Sequence, residues 1–389
     1  MRTVKWNAFL SGLCGFAVAL GVVAASARAD VTTEKGASIL VFPKVRASGT
    51  FDTEIQITNI GNNMVHSRCF YVNTTKPAPT SPPQWVETDF EIWLTKQQPT
   101  RWHVSTGRLG VPGGPIEGEI VPAGGLGEPG FSPGRVPPVE TPFEGELKCV
   151  EVSESLDPFT GNHLKGEATI FALDNLNISD PHEGTSAGDV AKYNAIGIQG
   201  NPDATPPSNT LSLDGDVYDR CPAKLIVNFL GGGLDSVDPV AATFDDADRP
   251  NSSVNTELTL VPCSENFELQ QPTSSTVQFL VFNELEQRFS ASTTVTCYLS
   301  AFLTTIDQPT KDAHLSDQSI FSRTVLGTDA AQVEITPVAD NLGNAHAVIG
   351  VVDRVTHVGD VTARAIMSVV TEGDLAPATG PETITLPEP

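Results

Sequence analysis

Thr53-Glu54-Ile55-Gln56-Ile57-Thr58 alternates strictly between polar and apolar side chains, placing Ile55 and Ile57 on one face and Glu54 and Gln56 on the other. A period of two marks a half-buried antiparallel strand, with one face on a core and one toward water. Phe90-Glu91-Ile92-Trp93-Leu94-Thr95 and Thr256-Glu257-Leu258-Thr259-Leu260 follow the same pattern. Runs rich in β-branched and aromatic residues surround them at 39–45, 66–72, 147–152, 168–173, 225–230, 277–282, 293–302, 333–338, 347–352 and 361–370. Thirty Pro and 33 Gly against 18% charged residues favour turns and loops, and helical periodicity is nearly absent outside 190–196. Many short strands at this spacing imply an all-β chain.

The order of strands recurs. The runs beginning at Ile39, Thr53, Cys69 and Gly145 find counterparts beginning at Leu225, Thr256, Val277 and Ala331. The expectation is two tandem Ig-like antiparallel β-sandwich domains with long Gly/Pro-rich loops. Domain 1 spans 30–200 and carries a flexible loop at 107–145, where Gly and Pro interrupt the alternation. A linker at 201–222 leads to domain 2 at 223–372, and 373–389 reads as a disordered tail. A further acidic loop is expected at 235–255.

The first 29 residues read as a signal peptide. Arg2 and Lys5 precede an apolar or small stretch at 8–25, and Ala27-Arg28-Ala29 supplies the small-residue cleavage pattern. Cleavage would remove three basic residues and no acidic one, taking the formal net charge from −24 to −27. Such a field repels phosphate backbones and anionic headgroups, which argues against nucleic-acid and membrane-surface partners. No second apolar run approaches the roughly 20 residues of a membrane span. The expected location is secreted or periplasmic. Of the five remaining cysteines, Cys69, Cys149, Cys221, Cys263 and Cys297, an oxidising compartment would pair four. Proximity favours Cys69–Cys149 and Cys263–Cys297, with other pairings open.

No catalytic residue is expected. Gly125–Gly130 matches G-x-G-x-x-G by letter, but Pro129 and the surrounding loop deny the strand-to-helix context a dinucleotide needs. Gly184–Gly188 matches G-x-S-x-G around Ser186, yet a turn rather than a strand precedes it. The seven histidines show no metal-ligand spacing, and with no C-x-x-C pair a zinc ribbon is excluded. Asp214, Asp216 and Asp219 are the best Ca²⁺ candidates, followed by Asp245, Asp246 and Asp248; a solvated acidic segment is the plainer reading. No other cofactor is implied. Trp93 falls on the face opposite Ile92 and Leu94, and with Trp102 it could form a stacking platform for a ligand ring. The competing reading is core beneath the Gly/Pro loop.

The segments Leu40–Val45 with Ile55–Asn59, Phe90–Pro99, and Thr259–Cys263 with Phe282–Glu284 resemble a sequence type of uncharacterised exported bacterial proteins. The resemblance covers most of the mature chain. It implies a bacterial exported protein and brings no activity, cofactor or site residue with it. Together these readings point to a non-enzymatic surface or periplasmic protein for adhesion, assembly or ligand binding, with a protein or glycan partner. A carbohydrate-binding or carbohydrate-active protein and a Ca²⁺-stabilised structural protein are the alternatives.

Overall fold

The computed structural model describes residues 31–77, 81, 83–109, 119–121, 130–173, 190–233, 252–308, 317–341, 343–358, 361–375 and 382–388. The signal segment, the motif matches at 125–129 and 184–188, and the acidic stretch 234–251 lie outside the described residues.

The first half supplies β1 (Ile39–Ala47), β2 (Phe51–Asn59), β3 (Val65–Asn73), β4 (Val86–Leu94), β5 (Pro99–His103), β6 (Glu119–Val121), β7 (Gly130–Ser132), β8 (Phe143–Val152), β9 (Leu164–Ala172), β10 (Val190–Asn194) and β11 (Ile196–Ile198). The second half supplies β12 (Thr210–Ser212), β13 (Pro222–Leu230), β14 (Ser252–Pro262), β15 (Glu265–Asn266), β16 (Ser274–Asn283), β17 (Arg288–Thr296), β18 (Leu299–Phe302), β19 (Ala330–Val338), β20 (Val348–Val358), β21 (Val361–Ser368), β22 (Val370–Asp374) and β23 (Thr383–Thr385). Two four-residue helices, α1 (Leu303–Ile306) and α2 (Arg323–Leu326), interrupt the strands. The chain is almost entirely β, and no described helix is long and apolar enough to cross a membrane.

In the first half a five-stranded sheet, β11-β1-β8-β3-β4, shares a core with a four-stranded sheet, β10-β9-β2-β5. Ile55 and Ile57 point into that core, as their alternation requires. In the second half the orders are β22-β13-β19-β16-β17 and β21-β20-β14-β18, again with a shared core. Strand for strand, the two orders are the same, and so are the ladder partners. Ile55 lies opposite Ala168 as Leu258 lies opposite Val352, and Phe42 opposite Leu147 as Val227 opposite Val333.

The Ig-like arrangement expected from sequence needs correction. In the Ig constant-type order the first two strands share a sheet, whereas β1 and β2 lie in opposite sheets, as do β13 and β14. Local alternation reports which face is buried but not which neighbour a strand takes.

The outer face of the first five-stranded sheet is apolar. Ile39, Val41, Phe70, Val72, Val150 and Val152 are buried there beneath segments of the second half, including Val261, Phe267, Ile349 and Ile384. Phe70 stacks on Phe267 at 4.2 Å. Two buried ion clusters join the halves at the same seam. Lys44 reaches Glu257 at 2.8 Å and Asp353 at 3.3 Å, while Lys148 contacts Glu146 at 2.9 Å and also Glu265. Breaking such a pair by removing one partner typically costs about 3–5 kcal/mol.

Several sequence expectations change here. The segment read as a linker and the tail read as disordered both enter the fold: β12 pairs with β23, which pairs with β15. Within the loop read at 107–145, β6 pairs with β7, and β8 already begins at Phe143. Cys69 and Cys149 face each other across β3 and β8 and form a disulfide. A closed loop of this length contributes about 4–5 kcal/mol in the chain-entropy account. The second disulfide joins Cys263 to Cys221 rather than to Cys297, which is a buried free thiol. Sequence proximity failed because 221 is not in a spacer: it adjoins β13 and lies in the same buried cluster as Cys263.

Candidate functional site

The site is built where β3 begins and β4 and β8 end. The register sets His66 opposite both Trp93 and Val152. The His66 imidazole stacks on the Trp93 indole, with ring centroids 3.7 Å apart and planes within 9°. Its Nδ1 donates to the Ser153 carbonyl at 3.0 Å, and its Nε2 faces Glu91 Oε2 at 2.8 Å. The ring is therefore fixed at both nitrogens, and it holds one face of the indole in turn.

A second imidazole stands across the cavity. His163 Nδ1 lies 2.6 Å from Glu151 Oε1, and the His163 amide donates to Glu151 Oε2 at 3.2 Å. Burial lifts the Glu151 carboxyl above its ordinary range, against the pull of the His163 hydrogen bond. Two glycines make room for this ring. A Cβ at Gly61 would fall 2.4 Å from His163 Cδ2, and one at Gly161 would fall 2.2 Å from Glu151 Oε1. The 153–163 loop is tied down by Asn162, whose side chain accepts from Ser38 Oγ and the Gly200 amide and donates to the Gly200 carbonyl.

Between these groups lies a cavity of about 260 Å³ lined by Met64, His66, Trp93, Glu151, Phe159 and His163. It adjoins a groove of about 660 Å³, which shares Ser153, Phe159 and His163 and extends to 202–208. Met64 and Phe159 are both about half exposed at the rim. The Trp93 Nε1–H is buried without a hydrogen-bond partner.

The two tryptophans expected to cooperate are separated. Trp102 is buried in the inter-sheet core and donates to Tyr71 Oη at 2.6 Å, with Phe90 packed edge-on against it. It holds the sheets together and cannot present a platform. Trp93 stands on the opposite face of its sheet, as the alternation of β4 requires. His66, Glu151, His163 and Phe159 were not singled out from sequence. Parity alone sets His66 on the outer face of β3, but its meeting with Trp93 depends on the pairing of β3 with β4.

The acidic candidates do not converge. Asp214 Oδ1 accepts from the amides of Asp216 and Val217 in a tight turn, and Arg220 Nε donates to the Asp214 carbonyl. The side chain of Asp214 thus closes the turn that separates it from Asp219. Among the described residues no three His, Cys, Asp or Glu side chains are grouped to hold a metal ion.

No protein-family model matches the chain, and no curated protein matches it. Among solved structures it is similar to red sea bream transglutaminase at 7% identity, over 86% of this chain and 32% of that one, with a TM-score of 0.14. The chain thus spans about a third of that enzyme's length, and a likeness of this size carries no argument about fold or activity.

Proposed function

We propose that the chain is an exported bacterial binding protein, non-enzymatic, built from two tandem copies of one β-sandwich unit, and that it holds its ligand in the groove beside Trp93. The recurrence of strand order and ladder partners in the two halves supports the tandem reading. Two disulfides suit an oxidising compartment. The observation that carries the binding reading is the half-buried Trp93, stacked on one side by His66 and lining a cavity with Phe159 and Met64.

The lining chemistry favours a neutral, hydroxyl-rich ring. Trp93 and Phe159 supply apolar surface, while Glu151, Glu154 and Asp157 supply acceptors and disfavour an anion. Glycan recognition by a surface or periplasmic protein is the function this combination supports best. Both imidazoles are engaged with carboxylates, and neither is hydrogen-bonded to a Ser, Thr or Cys side chain, which favours binding over acyl transfer.

The test is a glycan array probed with the full mature chain, followed by Trp93→Ala and Phe159→Ala. The expected outcome is a defined set of glycans whose affinity falls at least tenfold in Trp93→Ala with the melting temperature retained. A flat array, or an array pattern indifferent to Trp93→Ala, contradicts the reading.

A further inference from the structure

The two halves differ at one corresponding position, and the difference points to a second site. In the first half β11 pairs with β1 only as far as Val41, and among the described residues no strand covers the edge of β1 beyond it. Tyr193, on β10 opposite Ala168, fills the space between that edge and the facing sheet. Its hydroxyl donates to the Lys44 carbonyl at 2.6 Å and accepts from the Lys44 amide at 3.2 Å. The phenol thus completes the bulged stretch of that edge.

In the second half β22 pairs with β13 only as far as Ile226, the residue whose ladder position matches Val41. Among the described residues no strand covers the edge at 227–230, which stays in regular register with β19 where β1 is bulged between Phe42 and Val45. The counterpart of Tyr193 is Met367, which lies opposite Val352 as Tyr193 lies opposite Ala168. Met367 is 53% exposed, and a cavity of about 510 Å³ opens beside it, lined by Phe229, Phe282, Val352 and the open-edge residues Asn228 and Leu230. This volume exceeds one aromatic side chain and falls in the range of ligand pockets.

We infer that this cavity receives a phenolic side chain from an extended segment of a partner polypeptide, which lies along the open edge of β13. Tyr193 shows the chemistry that fits the position: a ring between the two sheet edges and a hydroxyl on strand amide and carbonyl groups. Alternate residues of an antiparallel strand turn their N–H and C=O toward its outer side, so the 227–230 edge offers both a donor and an acceptor. Addition of a strand to such an edge, with a side-chain anchor in an adjacent pocket, is a general mode of peptide recognition. The four tyrosines of this chain, Tyr71, Tyr193, Tyr218 and Tyr298, are all buried, so a second folded copy does not supply the anchor.

The two methionines downstream of residue 29, Met64 and Met367, report separately on the Trp93 groove and on this cavity. The full mature chain, labelled at the methionine methyl groups, is titrated with p-cresol, with toluene, and with a tyrosine-centred pentapeptide and its phenylalanine analogue. The expected result is a shift of the Met367 methyl resonance with the Met64 resonance unmoved. The hydroxyl-bearing probe of each pair should bind at least tenfold more tightly. Met367→Tyr, which places in the second half what Tyr193 places in the first, should abolish binding by calorimetry and raise the melting temperature. No shift at Met367, equal affinity for toluene and p-cresol, or retained binding in Met367→Tyr overturns the inference. None of these outcomes depends on whether the Trp93 groove binds glycans.

Discussion

The two five-stranded sheets have one strand order and opposite outer surfaces. In the first, β3 is buried along nearly its whole length, and Phe70 and Val72 lie under the second half of the chain. In the second, the corresponding strand β16 keeps strict alternation, with Thr276 and Gln278 in solvent and Leu280 and Phe282 half-buried. The same backbone plan therefore serves once as an inner layer and once as an outer wall. What differs is the burial: every residue of β3 from Val65 to Val72 is buried, against every second residue of β16. The ladder position of the Cys69–Cys149 disulfide is occupied in the second half by Phe279 and Ile335, which lie directly opposite each other.

The contrast can be broken most forcefully at Phe70. Phe70→Ala removes a fully buried ring from its stack on Phe267, and the expected loss is about 3–5 kcal/mol in denaturant unfolding. A loss below about 1 kcal/mol would mean that the seam is open in solution.

A change of pH should act on the same seam. Burial, with the charge of Glu265 added and Lys148 opposing, raises the Glu146 carboxyl to about 8. The folded state then keeps a proton that the unfolded chain releases. That contribution is complete below the ordinary carboxyl value of 4.5 and is lost as pH rises toward about 8. Glu257 behaves in the opposite sense: burial raises its carboxyl, the Lys44 ammonium outweighs this, and the result is about 2. Its contribution is present above 4.5 and is lost as pH falls toward about 2. Glu146→Gln should flatten the decline of melting temperature on the alkaline side and leave the acid limb unchanged. An unaltered alkaline decline would remove Glu146 as its source.

The smallest effect belongs to the outer wall. Gln278→Ala, on the exposed face of β16, should change stability by no more than about 0.5 kcal/mol. A larger loss would indicate that this face is covered too.

Much of the fold was legible in the residues. The alternation at 53–58 and 256–260 set Ile55, Ile57, Leu258 and Leu260 inward, and all four are core. The recurrent strand order was legible as well, because the runs at Ile39, Thr53, Cys69 and Gly145 and those at Leu225, Thr256, Val277 and Ala331 follow one another in the same sequence. Sheet membership was not, since β1 and β2 carry no mark of which neighbour they will take. Cys221 and β23 were misread because their segments are polar and Pro-rich, a composition that also suits chain packed on a surface. The site was half legible. Trp93 stood out by parity, but Trp102 obeys the same rule from a strand with its other face inward. His66 and His163 come near Trp93 through pairings distant in sequence.

Hydroxyl-radical footprinting of the native full chain tests directly whether the outer face of the first sheet is covered. Phe70 and Phe267 should remain unmodified while Leu280 and Phe282, on the corresponding face of the second sheet, are oxidised. Oxidation of Phe70 at a rate comparable to that of Phe282 would contradict that covering.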